Sequence, residues 1–142
     1  MAFKVFVDTD VVIDFLADRS PFANHSSMIF ELHEERKLKI YLSALCVNNV
    51  HYISRKLIGE QQSLKMIAEL IENVDVIGTT KKEILSALTA GFKDFEDAIQ
   101  YSTAKTIKGV DAIITRNTKD YRKSSIAVFT PELYLATFFN AI

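Results

Sequence analysis

Residues 3–16 read FKVFVDTDVVIDFL, and the fold follows from how this stretch divides. Phe3 to Val7 is a short apolar run rich in β-formers that stops at an acidic cluster, the pattern of a parallel strand buried on both faces. Beyond it Val11, Val12, Phe15 and Leu16 recur at helical spacing, and Arg19-Ser20-Pro21 ends that helix. A strand passing directly into a helix through two acids is the opening unit of an α/β sheet.

The same alternation continues along the chain. A second helix is expected over 22–36, a strand over 38–42, and helices over 44–57 and 63–72 separated around Gly59. A third strand follows over 74–77, then helices over 81–90 and 95–107. Gly109 serves as the stop, with a fourth strand over 112–115. A short fifth strand is expected near 126–129, and Pro131, well placed in a first helical turn, opens a last helix through Phe139. Strands joined by helical crossovers pair in parallel. The expected architecture is therefore a three-layer α/β/α sandwich around a mainly parallel sheet of about five strands. With 142 residues and 49% hydrophobic content, one domain spanning 1–142 is the natural size.

Composition excludes more than it specifies. The single cysteine, Cys46, has no internal disulfide partner, and MAFKVFVD lacks the basic, apolar and small-residue segments of a secretory leader, so a reducing cytoplasm is expected. No apolar run approaches the roughly 18 residues that span a bilayer. The net charge of −1 gives no global attraction to a polyanion; binding nucleic acid then requires a local basic patch.

In open parallel sheets ligands collect beyond the carboxyl ends of the strands, which directs attention to the acids just past the first and fourth strands; three blocks carry candidates, the remaining one at a helix entry. In FVDTD (6–10), Asp8 lies at the strand end and reads as a ligand, whereas Thr9 or Asp10 also suits a helix cap. In DFEDAIQYSTA (94–104), Asp94, Glu96 and Asp97 enter a helix. Acids there complement the helix dipole, but Asp97 borders the face that packs on the sheet, where a lone carboxylate is costly, and so reads as a metal ligand. In DAIITRNTKDYRKS (111–124), Thr115, Asn117 and Asp120 follow a strand, while Arg116, Lys119, Arg122 and Lys123 form the most basic stretch, suited to a phosphate-binding rim. Two carboxylates about 4 Å apart repel by roughly 4 kcal/mol at an effective dielectric near 20, so converging acids share a proton or bind a cation. Oxygen donors without a Cys/His cluster suit Mg²⁺ or Mn²⁺ rather than zinc. His25, His33 and His51 are not at metal-pair spacing and read as surface or helix-packing residues.

Together these blocks resemble the PIN-domain family, seen in metal-dependent ribonucleases that include the toxins of VapBC-type toxin–antitoxin pairs. FVDTDVVIDFL resembles the first acidic motif, DAIQYSTA the helix carrying the third acid, and DAIITRNTKDY the late strand with its Thr-Arg-(Asp or Asn) ending. The resemblance implies that Asp8 and Asp97 bind metal and that RNA is the substrate. It further implies that a homodimer and a small inhibitory antitoxin are partners. The family's second acid falls within SALCVNNVHYI (43–53), where Asn49 stands in its place, and Asn117 occupies the position that is Asp in many members. Asp94, Glu96, Asp111 and Asp120 are then the candidate substitutes. By this resemblance Asn49, Thr115 and Asn117 orient water or phosphate, and Arg116 and Lys119 neutralise charge on the phosphate.

Two other readings fit the same residues. One keeps the fold but not catalysis, since an amide can ligate a cation yet adds no negative charge and cannot act as general base, leaving a module that binds RNA or a protein. The other takes Asp8-Thr9-Asp10 as nucleophile and acid of a haloacid-dehalogenase-type phosphatase, against which stands the lack of a later Asp-Asp pair and of small residues after Asp10.

Overall fold

The computed structural model describes residues 2–140. β1 (Phe3–Val7) runs into α1 (Thr9–Leu16), followed by α2 (Ala23–Glu34), β2 (Leu38–Ser43), α3 (Ala44–Ile58), α4 (Glu60–Ile71), β3 (Asp75–Ile77), α5 (Lys81–Thr89) and α6 (Phe95–Ala104). β4 (Ala112–Ile114), a 3₁₀ turn (Thr118–Tyr121), β5 (Ala127–Phe129) and α7 (Pro131–Phe139) complete the order. The five strands form one sheet in the order β3-β2-β1-β4-β5, and every neighbouring pair is parallel.

Side chains alternate across this sheet as strand geometry requires. Val5, Val7, Ile40, Leu42 and Ile114 pack on one face with α1, α2, α3, α4 and α7, whereas Phe6, Tyr41 and Ile113 pack on the other with Tyr101 and Ala104 of α6 and with Tyr121. Both faces are thus covered, and the expected three layers are present.

The boundaries differ from expectation in instructive ways. α4 starts at Glu60 directly after Gly59, whose φ of 87° carries the chain out of α3. α6 ends at Ala104, and the backbone that follows turns tightly, with Thr106 N donating to Thr103 O and Ile107 N to Ala104 O. Residues 118–121, in the basic stretch after the fourth strand, wind into a 3₁₀ turn that buries Tyr121 against the sheet. The α1 cap falls one residue earlier than expected: Asp8 itself is the N-cap, in extended backbone, with its side chain accepting from Thr9 N. No helix among the described residues is long and apolar enough to cross a membrane.

β1 is central, and its carboxyl end meets the starts of α1, α3 and α6. Three caps set these starts. Asp8 caps α1, Ser43 Oγ accepts from Cys46 N at 2.9 Å to cap α3, and Asp94 Oδ1 accepts from Asp97 N at 2.9 Å to cap α6. Ser43 also donates to Gln100 Oε1 at 2.5 Å across buried space, pinning α6 to the end of β2. That bond sets where Asp97, one turn earlier on α6, stands relative to β1.

Candidate functional site

A cleft of about 470 Å³ opens at the carboxyl end of β1, and Asp8, Thr9, Asp10, Arg19, Asn49, Glu96, Asp97 and Asn117 line it. Chain segments nearly ninety residues apart thus supply its acids. Asp8 is buried; its Oδ1 accepts from Thr9 N at 2.8 Å and its Oδ2 from Thr115 Oγ1 at 2.9 Å. Asp10 Oδ2 accepts from Arg116 N at 3.2 Å and from Asn117 Nδ2 at 3.1 Å, while its buried Oδ1 has no hydrogen-bond partner. Across the cleft the Asn49 amide donates to Glu96 Oε1.

The electrostatics are those of crowded acids with too little counter-charge. Burial, then repulsion from Asp8, pushes the Asp97 carboxyl up to about 7. Burial and Asp8 do the same to Asp10, also to about 7, against the opposing pull of Arg116. Asp8 is raised chiefly by desolvation despite its hydrogen bonds, and Glu96 is raised by partial burial and by Asp94 and Asp8. Each shift disfavours the charged form, so a cation entering the cleft relieves all of them together.

The expected residues therefore divide. The geometry gathers Asp8, Asp97, Asn49 and Asn117 in the cleft and adds Asp10 and Glu96. Asp94, Lys119, Asp120 and Arg122 line an adjoining pocket of about 290 Å³ together with Lys93 and Lys123. Asp94 is occupied as the α6 cap, and Asp120 acts on the cleft at a distance, its charge adding to the upward push on Asp8 and Asp97. Thr115 is fully buried behind Asp8, donating to it and accepting from Asn117 N. Arg116 does not stand free at the rim, because its guanidinium is paired to Asp14 at 2.7 Å and lies over the Phe22 ring. Asp111 is at the opposite end of β4, accepting from Lys4 N. His33 accepts from Ile40 N and bonds Asn73 O, and His51 pairs with Ser63 on α4, so both tie elements together away from the cleft.

Asp14 is the functional-region residue that the motif reading passed over. It is fully buried and holds both Arg19, at 2.8 Å, and Arg116. The signal was an acid inside the apolar helix VVIDFL, one turn past Asp10, with arginine five residues on.

The residues lining the cleft fit a hard divalent cation. The donors are carboxylate and amide oxygens, the acids sit above their ordinary range, and Asp10 retains a buried oxygen without a partner. Among the described residues no three His, Cys, Asp or Glu side chains close tightly into a preformed cage. An ion of the Mg²⁺ class suits such an open half-shell, because it keeps several waters and takes few protein carboxylates.

A parallel five-stranded sheet between two helical layers, with an acidic cleft at the end of its central strand, defines a class of α/β proteins that gather carboxylates at strand ends. Residues 4–119 match the family model described as PIN domain, and the chain belongs to that family. It is 29% identical over 134 residues to Ribonuclease VapC1 of Aquifex aeolicus (strain VF5), covering 91% of each chain. Its fold matches DNA-bound VapBC from Salmonella typhimurium with a TM-score of 0.69 at 16% identity, over 91% of this chain and 98% of that one. A toxin–antitoxin complex from Klebsiella pneumoniae matches at a TM-score of 0.65 and 23% identity, over 89% and 97%.

Proposed function

We propose that this chain is a divalent-metal-dependent endoribonuclease, folded as one domain over residues 1–142, that acts as the toxin of a toxin–antitoxin pair. The observation that supports it is the convergence of Asp8, Asp10, Glu96 and Asp97 on one cleft with every carboxyl raised above its ordinary range. Family membership and the likeness to Ribonuclease VapC1 favour RNA hydrolysis over phosphomonoester hydrolysis.

In this reading Asp8 and Asp97 are the principal ligands of Mg²⁺ or Mn²⁺. The ion, when bound, lowers the pKa of a coordinated water and offsets charge on the phosphate. Thr115 fixes the Asp8 carboxylate and Asn117 fixes that of Asp10, so both would be oriented in advance to hold the ion. Asn49 stands where the family commonly has an acid, and the Glu96 carboxylate that it holds supplies negative charge at the same corner. Lys119 and Arg122, with Lys93 and Lys123 beside them, form the rim that receives the RNA backbone. Arg116 acts indirectly in this scheme, through its backbone bond to Asp10.

An antitoxin and a second copy of the chain are the proposed protein partners. The Klebsiella pneumoniae toxin–antitoxin complex supports the first, and exposed Tyr52, Ile53 and Leu57 on α3 offer apolar surface for either. The rival reading, a non-catalytic RNA- or protein-binding module, is favoured by one observation, the amides at 49 and 117. Metal-dependent cleavage of RNA by the wild type, lost in Asp8→Asn with an unchanged circular dichroism spectrum, is the expected result. Unchanged cleavage by Asp8→Asn removes the mechanism.

A further inference from the structure

Among the described residues lining the acidic cleft, Arg19 is the one Lys or Arg. Its position is closely determined. Helix α1 ends at Leu16 with Ala17 as its C-cap, Asp18 takes a left-handed φ of 50°, and the chain turns back so that Arg19 N donates to Asp14 O at 3.0 Å. Arg19 O then accepts from Phe22 N and Ala23 N, at 3.0 and 2.8 Å. The side chain is fixed at its inner edge, where Nε donates to Asp14 Oδ1 at 2.8 Å.

That bond uses only Nε. Among the described residues neither Nη of Arg19 takes a hydrogen-bond partner, and the side chain is one-third exposed, 34%, at the cleft. Asp14, fully buried, faces two guanidinium groups, Arg19 and Arg116. Arginine stays charged at any physiological pH, so one carboxylate against two cations leaves a net positive charge beside the acids. Arg116 is occupied by Asp14 and the Phe22 ring, which leaves the Arg19 fork as the group able to present paired N–H donors to an incoming anion.

We infer that Arg19 is the phosphate-binding arginine of the cleft, its Nη fork taking a phosphate of the RNA strand while buried Asp14 holds the Nε edge. This rests on the nuclease reading for its substrate. A preformed guanidinium suits two phosphate oxygens better than a mobile ammonium does, because the planar fork matches their spacing. The contact is made equally with substrate and transition state, so its removal falls on KM rather than kcat.

The test uses the full chain as wild type, as Arg19→Met, and as Lys37→Met, a control at the amino end of β2 opposite the cleft. Cleavage of a labelled single-stranded RNA is followed with Mn²⁺. Binding of the same RNA is followed by anisotropy over a range of salt, with Ca²⁺ replacing Mn²⁺ to hold hydrolysis down. Arg19→Met is expected to raise KM about tenfold, the scale of one charge-assisted contact, with kcat within about threefold. The slope of log K against log salt is expected to fall by about 0.7, one phosphate contact on a single strand, while Lys37→Met changes neither quantity. Unchanged KM and slope in an Arg19→Met protein of native circular dichroism overturn the inference and leave Arg19 a structural partner of Asp14; so does a fall in kcat at constant KM. Should Arg19→Met not fold, Arg19→Lys replaces it: an intermediate KM supports the fork, and a wild-type KM overturns it. A wild type that binds but does not cut RNA refutes the nuclease reading, and the salt slope then decides Arg19 by itself.

Discussion

Replacing Asp97 with asparagine removes one charge from the crowded cleft while preserving shape. Asp97 is raised from 3.8 to about 7, first by burial and then by Asp8, so between those values the folded protein holds a proton that the unfolded chain has released. Stability of the metal-free protein therefore falls as pH rises from about 4 to 7, and the full cost persists above 7. Three units correspond to roughly 4 kcal/mol at 1.36 kcal/mol each. Asp97 is only half-buried, and solvent screening reduces the recoverable part to about 1–1.5 kcal/mol. At about 3–4 °C per kcal/mol for a chain of this size, Asp97→Asn should melt roughly 3–6 °C above wild type at pH 8 in EDTA and level with it at pH 4.5. Thermal unfolding followed by circular dichroism or calorimetry at both pH values is the assay. A variant that melts at or below wild type at pH 8 refutes the claim that this carboxylate is held against its own repulsion.

Other outcomes follow from the same geometry. Asp14→Ala strands two guanidinium groups; because these are themselves 34% and 28% exposed, the expected loss is about 2–3 kcal/mol, below the range for fully buried pairs, and denaturant titration measures it. Glu96→Gln should weaken Mn²⁺ binding several-fold while leaving the melting temperature in EDTA unchanged or raised, since it deletes a carboxylate already pushed upward by its neighbours; calorimetry reads the first and unfolding the second. Lys119→Ala combined with Arg122→Ala should lower the salt slope of RNA binding by roughly 1.4, two contacts on a single strand, and an unchanged slope removes the rim.

The strand and helix order was legible because buried parallel strands are short apolar runs and their helices carry 3.6-residue periodicity, two signals that do not overlap in this chain. Phe3–Val7 and Ala112–Ile114 are almost wholly apolar, and both lie inside the sheet. Asp8 was legible from the strand-end rule, whereas Asp97, in the first turn of α6, was legible from the cost of a lone carboxylate beside a packing face and from the family resemblance; the cleft holds both. What stayed hidden was how neighbouring polar groups share their hydrogen bonds. Thr115 and Arg116 read as groups facing a substrate, but the hydroxyl turns inward to Asp8 and the guanidinium to Asp14. Such choices depend on which partner lies within about 3 Å, and residue spacing says little of that across 102 positions. Glu96 likewise looked like one acid of a helix's first turn until Asn49 on α3 was seen to donate to it.

Every role assigned above requires that Asp8 and Asp97 draw a hard cation into the cleft, which calorimetric titration of Mn²⁺ into the metal-free protein measures. Saturable binding is expected at pH 7.5, weakening steeply toward pH 5.5 as Asp10 and Asp97 take up protons, and lost in Asp8→Asn at either pH. Binding that survives Asp8→Asn unchanged, or no binding by the wild type at pH 7.5, contradicts it.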